Sequence, residues 1–336
     1  MSLSRRTTLL QAAAAAAALT PLGRTALAQQ AAPAARASRA PKLAATLRIV
    51  VPANPGGGWD QTGRALGAAL VAAGAADQVE YENIGGKGGT LGLAKYAEKY
   101  ANDPHTLLMG GSVMVGAVAL QKPAVDLGHI QPIARLTSDY IVAAVAAQSP
   151  IKNTNDLRDA LRADLAAVPV AGGSAGGIDH MFAGVVARAA KAHPENLVYK
   201  PFAGGNEVID AVLSGKAAVG LSGYSEFSDA VASGKLRAIG VSSRRSMFGL
   251  PAFREQGLDA VMANWRGVFT GKGVTTARTA EMVAAVEAAT EHESWLRTLK
   301  NNRWDASWLA GKDLAEFIEL DLTTARVMVY LLKLKA

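Results

Sequence analysis

The 336-residue chain contains no cysteine, which excludes disulfide staples, thiolate catalysis and cysteine-ligated zinc. It leaves the compartment open, because many exported bacterial proteins also lack disulfides. Aromatic residues make up only 6% of the chain, and no segment interleaves them with Lys or Arg, so nucleic-acid binding has no carrier. The five histidines show no His-x-x-His or His-Glu-x-x-His spacing, and no metal site is expected. Nucleotide motifs fail on spacing as well. A Gly-x-Gly-x-x-Gly pattern around Gly86 would need glycine where Leu91 stands, and no Gly-Lys pair runs on into Ser or Thr as a phosphate loop requires. No cofactor is expected.

Apolar residues are plentiful, at 50% of the chain. That is enough for a large core and for two domains. At the N-terminus, Arg5-Arg6 and a short Ala-rich apolar stretch lead to Ala26-Leu27-Ala28 before Gln29, the order of a cleavable export signal. The paired arginines admit a twin-arginine route, although Thr8 stands where that signal prefers Phe, so Sec export stays open. Residues 1–28 are therefore expected to be removed and 29–43, rich in Ala, Pro and Gln, to form a flexible leader on a periplasmic protein. Three of the 35 basic residues and none of the 28 acidic ones lie in residues 1–28, so the mature chain keeps 32 basic side chains and a formal charge of only +4.

Beyond the leader, apolar strand-like runs near 46–52, 78–83, 106–109, 167–171, 196–200, 217–221 and 236–242 alternate with helical patterns near 60–73, 90–99, 154–164, 177–192, 205–214, 225–233, 276–290 and 312–334. Strand–helix alternation predicts an α/β fold with mostly parallel sheets flanked by helices, and such sheets bind ligands at the carboxyl ends of their strands. Glycine-rich turns sit at those ends: Pro52 to Gly58, Gly110-Gly111-Ser112, Gly172-Gly173-Ser174 and Gly204-Gly205. Each frees backbone N–H groups at a helix start, a ready site for an anion. Several together predict a cleft that holds a carboxylate without a formal cation. Two longer extended segments, 130–147 and 261–269, are placed where the chain would cross between lobes. One lobe is expected over residues 44–140 and 265–336, the second over 141–264.

The turn Pro52 to Asp60, the run Asn83-Ile84-Gly85-Gly86-Lys87-Gly88-Gly89-Thr90-Leu91-Gly92, the run Gly172 to His180, the run Gly220 to Phe227 and Asn264-Trp265-Arg266-Gly267-Val268-Phe269 occur in order with compatible spacing. In that set the chain resembles the extracytoplasmic solute receptors of tripartite tricarboxylate transporters, the Bug type, with the tricarboxylate-receptor branch as the best likeness. The resemblance runs from about residue 46 to the C-terminus. It implies a monomeric, two-lobed Venus-flytrap protein that captures a small organic carboxylate, di- or tricarboxylates favoured, and delivers it to a membrane permease. A sensory receptor for the same ligands fits the same residues.

By position the resemblance assigns one carboxylate to Asn54, Pro55, Gly57, Gly58, Gly89 and Thr90, with Ser112 at the third glycine turn beside them. Selectivity falls to Ser174, Gly176, Gly177, Phe202, Gly204, Gly205 and Tyr224. Lys87 departs from the family's usual small residue; it would add a charge contact to a polycarboxylate, or it is simply an exposed turn lysine, the reading adopted here. Asp60, Asp179 and His180 are read as structural residues near the site, and Trp59 as a side chain that could wall the cleft. The rival is enzymatic, since Gly172-Gly173-Ser174-Ala175-Gly176 matches a Gly-x-Ser-x-Gly nucleophile elbow. After Ser174, however, only His180, His193 and His292 follow, and none is placed to serve as its base. A serine in a glycine turn is more often a cap or a ligand donor.

Overall fold

The computed structural model of the protein describes residues 40–335; the expected export signal and most of the expected leader lie outside the described residues. The end of that leader is packed, because Leu43 is buried and its N–H donates to the Ala75 carbonyl at 2.8 Å.

The first part of the chain alternates β1 (Ala44–Val51), α1 (Gly58–Ala72), β2 (Ala76–Asn83), α2 (Thr90–Tyr100), β3 (Thr106–Gly111) and α3 (Ser112–Gln121). A 17-residue strand, β4 (Ile130–Ala146), follows. The second alternation runs α4 (Thr154–Ala163), β5 (Val170–Gly172), α5 (Ile178–Ala189), β6 (Tyr199–Pro201), α6 (Gly205–Leu213), β7 (Val219–Gly223), α7 (Tyr224–Ala232) and β8 (Leu236–Val241). The chain then returns through β9 (Ala263–Gly271), α8 (Thr276–Glu291), α9 (Glu293–Asn302), β10 (Asp305–Ala310) and α10 (Gly311–Leu331).

Parallel pairing joins β1 to β2 and β3, and β5 to β6 and β7. These are six of the seven strands that alternation predicts; the seventh, expected near 236–242, forms as β8 but pairs antiparallel with β4. Antiparallel strands complete a curled mixed sheet: β9 pairs with β3 and with β4, β10 pairs with β4, and β7 and β8 pair with the later part of β4. Both segments expected to cross between lobes are thus strands themselves, paired to each other from Ile130↔Gly271 to Tyr140↔Ala263. From Ile141 onward β4 changes partners to β7. One strand therefore serves both halves of the two-lobed α/β fold.

Local chemistry sets the elements. In α4 the Asn153 side chain accepts from Asn155 N–H at 2.9 Å and Asp156 N–H at 3.0 Å, satisfying first-turn donors, while Leu157 and Leu161 bury one face. In α8 Thr275 caps through the Arg278 N–H. By contrast, every strand residue of β3 is buried, as expected for a strand covered on both faces. Among the largest fully buried side chains is Phe182 on α5, packed edge-to-face on Phe253 with ring centroids 5.2 Å apart. Phe182→Ala is expected to cost about 3–5 kcal/mol, read as a lower urea midpoint with unchanged ligand affinity, since this contact lies outside the cleft.

Candidate binding cleft

The glycine turns meet around one cavity, part of it open to solvent. Five helix starts reach it: Gly57 and Gly58 at α1, Gly88 and Gly89 before α2, Ile178 at α5, Gly204 and Gly205 at α6, and Gly223 before α7. Val113 brings the first turn of α3 to the same space. Within each set, β1 to β3 and β5 to β7, the strands that aim these helices are parallel, so the helices of one set turn the positive ends of their dipoles to the cavity from the same side.

Glycine is required where the walls approach most closely. Gly89 has φ 89°, and a methyl group there would lie 2.7 Å from the Trp59 ring. A methyl on Gly58 would lie 2.6 Å from Arg266 Nη2. Arg266 thus lies flat against the start of α1, with its Nη1 donating to Thr62 Oγ1 at 3.2 Å and its guanidinium over the Trp304 ring at 5.0 Å.

Arg266 on β9 pairs with Asp139 on β4 at 2.5 Å, and both side chains are buried, at 3% and 5% exposure. Burial pushes the Asp139 carboxyl up to about 6, with Arg266 opposing the rise and Glu226 adding to it. Asp179, in the first turn of α5, accepts from Gly173 N–H at 2.8 Å. Its carboxyl is pushed up to about 7 by burial, against the Gly173 hydrogen bond and with help from the negative charges of Glu226 and Asp139. Glu226 accepts from Gly205 N–H at 3.2 Å and from the Ser222 hydroxyl at 2.8 Å. It therefore links the start of α7 to the start of α6.

Of the residues named from sequence, Gly57, Gly58, Gly89, Ser174, Phe202, Gly204, Gly205 and Asp179 line the cavity, as does Trp59. Asn54 and Pro55 line an adjoining depression with Gly204 and Gly205, and Lys87 lines another with Ser174 and Phe202. The remainder hold the walls. The Thr90 hydroxyl donates to the Lys87 carbonyl at 2.9 Å, and Ser112 Oγ accepts from Trp265 N–H at 2.9 Å. Gly177 N–H donates to the Ser174 carbonyl, and Gly176 N–H donates to His180 Nδ1 at 3.0 Å. The His180 ring stacks on Tyr199 at 4.1 Å, and burial pushes it down to about 4. It is a neutral packing residue rather than a base for Ser174. Tyr224 packs on Phe248 at 4.7 Å with Arg303 over its ring, away from the cavity lining. Asp60 accepts from Gly56 N–H, Arg64 and Asn83; these outweigh the cost of its burial and hold its carboxyl below the usual range.

The glycine turns call for few cations, and the described lining carries one, Arg266, already paired with Asp139. Arg266, Asn264, Ser222 and Glu226 lie in motifs named from the sequence without a role in the site, and Asp139 falls in none of them. The available signal was an arginine in the middle of an apolar run, Trp265 to Phe269, since a buried arginine requires a buried partner.

These features define the class: a two-lobed α/β protein of the periplasmic binding protein fold, with a cavity where helix starts meet. Residues 68–333 match the tripartite tricarboxylate transporter family receptor, and the chain belongs to that family. It is a family of substrate-binding receptors, not enzymes. Among curated proteins no relative matches. Solved structures share the fold: MatC from Rhodopseudomonas palustris with bound malate is 23% identical with a TM-score of 0.73, covering 84% of this chain and 98% of that one. Rpa4515 from R. palustris with adipate is 16% identical with a TM-score of 0.79, over 86% and 98%. The periplasmic binding protein BugD is 18% identical with a TM-score of 0.78, over the same shares.

Two expectations follow. Arg266→Met leaves Asp139 buried without its cation and is expected to cost about 3–5 kcal/mol, while the Asp139→Asn, Arg266→Met double variant recovers most of it, as urea denaturation would show. Second, Asp179 binds a proton in the folded state over the range between the ordinary carboxylate value and about 7. Its contribution to stability is therefore fully present at low pH and lost as pH rises toward 7. His180, depressed to about 4, acts in the opposite sense and masks part of this in the wild type. Measured against Asp179→Asn, which keeps His180, the wild type should lose about 1 kcal/mol per pH unit between pH 5 and 7; equal pH dependence of the two proteins would contradict the assignment.

Proposed function

We propose that the protein is an extracytoplasmic solute receptor that captures a small organic carboxylate, with di- and tricarboxylates favoured, and delivers it to the permease of a tripartite transporter. The observation that carries this reading is the convergence of helix starts on one cavity beside a buried arginine. Each start favours a nearby anion by about 0.3–1 kcal/mol, rising to about 2 kcal/mol when partly buried. Family membership and the malate and adipate in structures of the same fold support the ligand class.

In this reading the lobes comprise residues 44–140 with 265–336 and residues 141–264, and the paired strands β4 and β9 form the hinge. Closure buries the ligand and creates the surface that the permease recognises. The carboxylate sits on the turns of Gly57, Gly58 and Gly89, and Ser174, Phe202, Gly204 and Gly205 shape the opposite wall. No covalent step is involved. Residues 1–28 direct export and are then removed, and the mature protein acts as a periplasmic monomer. Among the described residues no helix is long and apolar enough to cross a membrane.

Thermal-shift screening of residues 29–336 against mono-, di- and tricarboxylates, their amides and an ester tests this directly. A ligand at about 100 times its Kd adds about 2.7 kcal/mol of stability. Stabilisation by an acid and not by its amide is expected; a flat response to every acid together with turnover of the ester would contradict it.

A further inference from the structure

The two walls of the cleft differ in charge. On the side of α1 and α2 the cavity is lined by backbone, with Gly57, Gly58, Gly88 and Gly89 and no acidic side chain among the lining residues. Asp60 turns away to Gly56, Arg64 and Asn83. The side formed by α5, α6 and α7 carries Asp179 and Glu226 on the cavity itself. Neither has a salt-bridge partner among the described residues; Arg266, the cation on the lining, is already paired with Asp139. The charges crowd together. A methyl built on Gly223 would lie 2.8 Å from Asp139 Oδ2, 3.5 Å from Glu226 Oε2 and 3.6 Å from Arg266 Nη2.

This side also carries acceptors that lack a donor. Asp139 Oδ1 and Asn264 Oδ1 are buried acceptors without a partner among the described residues, and Asn264 lines the cavity. A buried acceptor left unpaired is costly, and a ligand that supplies its donor gains the difference. A second carboxylate placed against these acceptors supplies no donor, so a di- or tricarboxylate needs a hydroxyl or ammonium there as well.

Resting on the receptor reading above, we propose that the ligand is a hydroxy- or amino-substituted carboxylate, with its carboxylate on the Gly58 and Gly89 turns and its hydroxyl or ammonium donor toward Asp179, Glu226 and Asn264. The ligand is thereby oriented end for end, acid group to the first wall and donor group to the second. Isosteres lacking the donor leave the second wall unpaired and are discriminated against.

Titration calorimetry on the mature protein with matched pairs tests this: tricarballylate against citrate, which differ by one hydroxyl, and succinate against malate and aspartate. In the pair that binds most tightly the donor-bearing member is expected to win by about tenfold or more. In the Asp179→Asn, Glu226→Gln double variant that ratio should shrink to about threefold or less. Equal affinities within each wild-type pair would overturn the proposal and leave the receptor reading standing; so would a ratio unchanged in a folded double variant. Binding of none of the five acids would overturn both. The wild-type pairs decide the matter even if the double variant fails to fold.

Discussion

The buried pair of Arg266 and Asp139 is the constraint on which the rest of the cleft depends. Its two residues lie on β9 and β4, the paired strands that run between the halves of the molecule. Arg266 also holds Thr62 on α1, and Asp139 crowds Gly223 at the end of β7. A charge pair so far from water is a weak source of net stability, because desolvation offsets most of its attraction. Losing either partner is costly, however, so the pair fixes how the first turn of α1, the end of β7 and the two long strands meet. Cavity shape follows from that register.

Around this pair the fold repeats one device. A parallel strand ends in glycine, the chain turns, and a helix begins with its free N–H groups toward the cavity. On the second side the protein's own acids engage some of these turns: Asp179 takes Gly173 N–H, and Glu226 takes Gly205 N–H. On the first side no acid takes the turns; the Gly57 and Gly89 N–H groups bond the Asn54 and Gly86 carbonyls within the turns, at 3.3 and 3.0 Å, and the starts at Gly58 and Gly88 face the cavity. One wall is therefore prepared for an anion from outside, and the other already holds its own.

The parallel part of this architecture was legible in the sequence because each unit has a complete local signature. Val50-Val51 runs through a glycine turn into α1, and the same punctuation marks β3, β5 and the starts of α5 and α6. The antiparallel strands were less legible for identifiable reasons. In β4 the alternation is broken by Pro132 and by register shifts at Pro132/Ala134 and Arg135/Thr137, so it resembles a crossing segment. Helix α3, Ser112–Gln121, is almost wholly apolar and mostly buried, with no polar face to reveal a helical period. Strand β10 and helix α9 lie between two long helical patterns, with Gly311 after β10 as their single glycine punctuation. In the cleft, backbone donors at Gly57, Gly58 and Gly89 could be inferred from turn chemistry. Arg266, Asp139 and Asn264 could not, because they meet only when β4 and β9 pair.

The central claim is that backbone amides at the glycine turns hold the carboxylate. The most direct measurement is an amide resonance titration of protein labelled only at glycine, following Gly57, Gly58, Gly88 and Gly89 as a binding carboxylate is added. The account predicts that these resonances move together and saturate with the ligand, while glycines remote from the cleft, such as Gly215 and Gly257, stay fixed. Saturable binding that leaves all four turn glycines unmoved would contradict it.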